Sequence, residues 1–148
     1  MKVLIQRVKS ASVEVEGQVI GIIERGILVF LCAVKGDGDY DLDYLVKKVC
    51  QLRIFDDDDG KMNQSVLDIH GSALVVSQFT LAATTRKGNR PSFDNAETQG
   101  RAKELYGLFV QRLKDTGIPV QTGLFAAKMI VSLANDGPVT IWLDSKEQ

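Results

Sequence analysis

The chain has 148 residues, 45% of them apolar and 25% charged, with a formal net charge of −1. That length suits one domain with a sizeable core, and the near-zero charge excludes a global pull onto nucleic acid or membrane, so any polyanion site must be a local patch. Residues 1–7 lack a long apolar signal core and no apolar run approaches membrane-spanning length, so a cytoplasmic protein without a membrane partner is expected.

Taken in order, Val13 and Val15 alternate with Ser12, Glu14 and Glu16 before Gly17 turns the chain into Val19-Ile20-Gly21-Ile22-Ile23, the pattern of a hairpin. Gly26 introduces an uninterrupted apolar run over 27–34, typical of a strand buried on both faces. Residues 40–52 predict a helix with Leu42, Leu45, Val46, Val49 and Cys50 on one face and Asp39 as its cap. Strands are expected at Arg53-Ile54-Phe55, at 73–77 and at Val120-Gln121-Thr122. A second helix is expected over 95–116, striped by Ala102, Leu105, Tyr106, Leu108, Phe109 and Leu113, with Asp94 capping its start and Gly117 and Pro119 ending it. Two last β-like runs, 129–133 and 140–143, flank Asn135-Asp136-Gly137-Pro138-Val139-Thr140. Asp-Gly signals a hairpin between them, yet Pro138 cannot donate to a ladder. The whole predicts an α+β (mixed α/β) fold, a single domain over 1–148 with a mixed, barrel-like set of strands and two main helices. Cys32 and Cys50 fall in apolar patterns and read as reduced core thiols.

Side-chain chemistry is scarce. His70 is the sole histidine; in a polar connection beside Gly71 it reads as an exposed loop residue rather than part of a Ser-His-Asp device. One histidine and two apolar-context cysteines make no zinc site, and no metal or cofactor is expected. The run Asp56-Asp57-Asp58-Asp59-Gly60 lacks the spacing of a calcium loop and reads as an acidic β-turn. Gly36-Asp37-Gly38 is electrostatically wrong for phosphate. What remains is Ser77-Gln78-Phe79-Thr80, a strand end where backbone N–H groups can converge on an oxyanion, although Ser77 and Thr80 equally suit a turn that bonds its own backbone. The following loop carries Arg86, Lys87 and Arg90, the densest local positive charge, which suits a phosphodiester backbone or simply solubility.

Ser77-Gln78-Phe79-Thr80-Leu81 taken together with Asn135-Asp136-Gly137-Pro138-Val139-Thr140 resembles the D-aminoacyl-tRNA deacylase family. Arg7 in Ile5-Gln6-Arg7-Val8, the loop Lys87-Gly88-Asn89-Arg90-Pro91-Ser92-Phe93 and the stretch from Thr122 to Met129 extend the resemblance over essentially the whole chain. One departure is Ala126, where many members carry glycine. The resemblance implies a homodimer with each active site at the subunit interface, and an aminoacyl-tRNA 3′ end as partner, with no DNA. The implied reaction is hydrolysis of the ester linking a D-amino acid, or glycine mischarged on alanine tRNA, to that end. Gly137-Pro138 would be the family's Gly-cis-Pro element, reaching the other subunit's pocket, taking the substrate's α-amino group on its carbonyls and leaving no room for an L side chain. Ser77, Gln78, Phe79 and Thr80 would form the opposing wall, with N–H groups near Phe79 and Thr80 as oxyanion donors. Arg7 would orient the Gly-Pro turn, Phe125 and Met129 would line the adenosine end, and Arg86, Lys87 and Arg90 would meet the tRNA.

Two mechanisms fit that implied site. Thr80 as a nucleophile needs a base that the sequence does not supply nearby. Orientation plus oxyanion stabilisation, with the terminal ribose 2′-OH activating water, needs none and is preferred. The rival readings are a non-enzymatic tRNA-binding module, an editing domain for L-aminoacyl-tRNA, and a plain interaction scaffold.

Overall fold

The longest strand organises everything else. The computed structural model describes residues 1–86 and 88–147. Strand β1 (Lys2–Val15) pairs antiparallel with three partners: β2 (Gln18–Ile23) along its second half, β3 (Gly26–Cys32) along its first, and β8 (Ile130–Asp144) along nearly its whole length. From β3 the sheet continues in parallel through β6 (Ser72–Ser77) to β7 (Val120–Thr122). Helix α1 (Asp39–Gln51), a small hairpin of β4 (Phe55–Asp56) and β5 (Met62–Gln64), and helix α2 (Gln99–Asp115) fill the connections.

The central strands carry side chains into two cores. Ile27, Val29 and Leu31 of β3, with Ala73 and Val75 of β6, face Leu42, Leu45 and Val49 of α1 and Leu105, Phe109 and Leu113 of α2. Leu28, Leu74 and Val76 point the other way, onto Val8, Ala11, Val13 and Ile23. That double burial is why β3 reads as an unbroken apolar run. The second core exists because β1 and β2 curl over until β2 approaches β7: a Cβ at Gly21 would lie 2.8 Å from the Thr122 carbonyl oxygen. Glycine permits the nearly closed, barrel-like shape at that point.

Several expected boundaries differ. Helix α2 starts at Gln99 with Thr98 at its N-cap, so Asp94 caps nothing. Residues 94–95 form a turn and Ala96 bridges Val34 instead, with Lys35 N–H donating to Asn95 O at 3.0 Å and Glu97 N–H to Ala33 O at 3.1 Å. A tertiary pairing overrides four residues of helical propensity. Leu108 lies on the exposed side of α2, and Val110 takes a buried place. Helix α1 begins at Asp39 with Gly38 as its N-cap, and Asp41, not Asp39, accepts the Gly38 N–H at 2.9 Å. Strand β4 starts at Phe55, since the Ile54 carbonyl is taken by Arg7. The largest difference is at the C-terminal end. The two runs flanking Gly137-Pro138 do not pair with each other; both belong to β8 and both pair with β1.

Candidate active site

The first half of the site grows out of β6. At its end Gln78 N–H still donates to Leu31 O of β3 at 2.8 Å, and the chain then tightens into a 3₁₀ turn, Phe79–Ala82. Within it Leu81 N–H reaches Gln78 O at 3.2 Å and Ala83 N–H reaches Thr80 O at 3.0 Å. The first-turn donors of Phe79 and Thr80 lie before any intrahelical acceptor, which is the arrangement that can receive an anionic oxygen. The Gln78 side-chain amide donates to the Thr80 hydroxyl. His70 is exposed in the turn before β6, at the opposite end of a strand about 17 Å long. It cannot serve Thr80 as a base.

Beside this wall lies a cavity of about 370 Å³, within the range of small-ligand sites. Ser77, Gln78 and Phe79 form one side, and Phe125 with Ala126 another. Thr80, exposed on the turn, is not among its lining residues. Tyr106 of α2 supports the Phe125 ring at a centroid distance of 5.7 Å and donates its hydroxyl to Val75 O at 2.8 Å. Burial pushes the Tyr106 phenol up to about 12, so it remains a donor. Ala126 stands in the left-handed region at φ +61°, a conformation that glycine adopts more readily than alanine. Cys32 also borders the cavity; its thiol points at Phe79 O from 3.6 Å, and burial raises it to about 11. Met129 is elsewhere, half-buried against the second core and behind Gly123.

The second half of the site is the interruption of β8. Gln6 pairs with Thr140 and Val8 with Asn135, so the four residues 136–139 stand opposite Arg7 alone. Arg7 is buried there, its Nε donating to Asp136 O at 2.7 Å and its Nη1 to Ile54 O at 2.6 Å. The Gly137-Pro138 bond is cis, and both residues are exposed. Gly137 has φ +142°, and a Cβ there would meet Val139 Cγ2 at 2.8 Å, Val139 N at 3.0 Å and Arg7 Nη2 at 3.1 Å. Arg7 pairs across β3 with Ile27, whereas Ser77 pairs with Leu31. Those positions are four residue steps apart on β3, which sets the two halves about 13 Å apart along the strands of one chain.

This geometry has relatives. The family model described as D-Tyr-tRNA(Tyr) deacylase matches residues 4–144. The chain belongs to the D-Tyr-tRNA(Tyr) deacylase family. Members of this family are hydrolases acting on aminoacyl-tRNA ester bonds. The D-aminoacyl-tRNA deacylase of Persephonella marina is 58% identical over 146 residues, covering 99% of each chain. That of Aquifex aeolicus is 54% identical over 147 residues, again 99% of each. Among solved structures, the c-Myc DNA Unwinding Element Binding Protein superposes with a TM-score of 0.93 at 42% identity, over 97% of this chain and 98% of that one. A "probable eukaryotic D-amino acid tRNA deacylase" gives 0.78 at 16% identity, over 96% and 97%, a likeness of fold.

Set against the family pattern, the structure gathers Ser77, Gln78, Phe79 and Phe125 around one cavity and Arg7, Gly137 and Pro138 at the β8 interruption. Thr80 adjoins the first group through Gln78. Arg86 and Arg90 lie exposed on the loop after the wall, closed at its base by the Thr84 and Ser92 bridge, and Phe93 of the same loop packs on Phe79 at 5.0 Å. Lys87 lies outside the described residues. Among the described residues no cluster of three or more His, Cys, Asp or Glu could hold a metal, and no helix is long and apolar enough to cross a membrane. Tyr106, Cys32, Glu97 and Gln99 also border the cavity, and no local pattern announces them. Tyr106 and Cys32 sit in ordinary apolar patterns, and Glu97 and Gln99 reach it only because the start of α2 is displaced.

Proposed function

We propose that the protein hydrolyses the ester between a D-amino acid and the 3′ end of tRNA, selecting chirality with backbone rather than side chains. The observation that carries this reading is the exposed Gly137-Pro138 segment, where a β-carbon has no space and the backbone itself is the presented surface. Because the wall and this segment stand apart within one chain, the reading takes a homodimer in which each copy inserts Gly137-Pro138 into the other's cavity. The carbonyls there would receive the substrate's α-amino group and fill the space an L side chain needs.

The Phe125 ring and the cavity beside it would hold the terminal adenosine, placing the ester carbonyl at the N–H groups of Phe79 and Thr80. Met129 would act from behind, through the 123–125 loop. Water attacks the carbonyl carbon; the developing oxyanion is stabilised by those donors. The ribose 2′-OH relays the water proton to the departing 3′-oxygen, the ester C–O bond breaks, and free amino acid and tRNA leave. No cofactor takes part. The lack of a base beside Thr80 supports water rather than Thr80 as nucleophile. Arg86, Lys87 and Arg90 would meet the tRNA phosphates. The small space demanded at the α-carbon also suits glycyl-tRNA mischarged on alanine tRNA, and the substrate places the work in the cytoplasm.

The test is to incubate purified protein with D- and L-aminoacyl-tRNA and follow ester loss. Turnover of the D-ester with the L-ester intact is the expected result. Salt-sensitive tRNA binding without cleavage would instead mark a binding module, and comparable cleavage of L-esters an L-editing domain. Since a 42% identical structure is named for binding a DNA element, duplex DNA belongs among the competitors.

A further inference from the structure

A strand that gives up its pairing over four residues needs something to hold the two ends of the gap in register. Pro138 has no N–H to offer, and β1 supplies only Arg7 across the opening. On one side Arg7 clamps the Asp136 carbonyl. On the other side the clamp is the side chain of Asn135. Its Oδ1 accepts the Val139 N–H at 2.8 Å, and its Nδ2 donates to Val139 O at 3.3 Å and to Thr140 Oγ1 at 3.1 Å. Thr140 Oγ1 in turn accepts from Gln6 Nε2 at 3.2 Å, at the first paired position beyond the gap. The amide thus makes with residue 139 the donor and acceptor contacts that a facing strand would otherwise make. Both contacts come from the one carboxamide, whereas a carboxylate at 135 could only accept.

Val139 is also the residue whose Cγ2 and N stand closest to the space behind Gly137. Whatever holds Val139 therefore determines where the Gly137 carbonyl points. We infer that Asn135 is the positioning residue that aims the Gly137-Pro138 carbonyls, and that it governs D-against-L selectivity more than the rate of bond breaking. The inference rests on the backbone gate proposed above.

The test uses the full chain and compares wild type with Asn135→Ala, Asn135→Asp and Gly137→Val. It measures kcat and KM on D- and L-aminoacyl-tRNA and hydrogen exchange at the Val139 amide. For Asn135→Ala, the D/L ratio of kcat/KM should fall about tenfold or more, and Val139 exchange should quicken by a similar factor, the loss expected from two hydrogen bonds. Asn135→Asp keeps the acceptor for Val139 N–H, so exchange should stay slow while selectivity falls part-way. If Asn135→Ala does not fold, this isosteric variant carries the test, and an unchanged ratio in it overturns the inference. A wild-type ratio in Asn135→Ala, with Gly137→Val crippled, would overturn the role of Asn135 and leave the gate standing. Wild-type behaviour in Gly137→Val as well would remove the gate and this inference together.

Discussion

Segments 77–80 and 135–139 both break the rhythm of an apolar strand, but they are held in different ways. The first leaves β6, a strand buried on both faces, and its backbone remains bonded to β3 through Gln78 N–H and Leu31 O. The second stands out from β8, which pairs on one side only with β1, and is held by the side chains of Arg7 and Asn135. A wall made of backbone in a double core should tolerate changes of its own side chains. A backbone segment exposed at an edge should not tolerate changes in the few side chains behind it.

The largest break expected is Gly137→Val. The residue would need φ +142° with its β-carbon 2.8 Å from Val139 Cγ2, so the segment must move. Displacement of about 1 Å at a reacting centre costs on the order of 100-fold, and D-ester turnover in single-turnover assays should fall at least that far while the fold persists. Next comes Arg7→Ala, which strips charge-assisted bonds from the part-buried Asp136 carbonyl and the buried Ile54 carbonyl. It should lower stability in urea by about 2–3 kcal/mol and reduce turnover by about tenfold or more. Arg7→Lys should rescue neither fully, because an ammonium cannot reproduce the fork that reaches both carbonyls.

Thr80→Ala tests the other side of the comparison. It removes a hydroxyl that only accepts from Gln78, and D-ester turnover should drop by less than about tenfold. Complete loss in a variant that still folds would favour Thr80 as nucleophile. Asp41→Asn, remote from both segments, should change neither turnover nor the D/L ratio. Burial works to raise the Asp41 carboxyl, but bonds from Lys146, Ser145 and Gly38 N–H, with the chain's terminal ammonium, outweigh it and hold it near 2 against an ordinary 3.8. A depressed folded value means the stabilisation is present above about 3.8 and is lost as pH falls towards about 2. The variant's unfolding midpoint should therefore depend less on pH across that interval than the wild type's. An unaltered acid limb would remove Asp41 from the account.

The elements that could be read from the chain are those whose burial is local in pattern. The run after Gly26, the α1 face from Leu42 to Cys50 and the turn residues around Gly137 each carry their own signal. Three features had no such signal. The start of α2 looks helical from Asn95 onward, and only the hydrogen bonds to Ala33 and Lys35 hold it out of the helix and bring Glu97 and Gln99 to the cavity. The two C-terminal runs look like a hairpin, because nothing nearby announces that both will pair with the same distant strand. Tyr106 reads as one more apolar residue of a helix stripe, and only packing shows that it carries the ring of Phe125.

By itself the sequence determined the mixed α+β fold class, the scarcity of catalytic side chains and the two motifs that carry the family resemblance. All of these depend on residue identity and short-range pattern. Tertiary structure decided where those motifs stand: Ser77–Phe79 on a cavity at one end of the sheet, and Gly137-Pro138 on an exposed interruption opposite Arg7. The reason is physical. Strand register and pairing partner are chosen by contacts more than a hundred residues apart, such as Arg7 with Asp136, which no local pattern can encode.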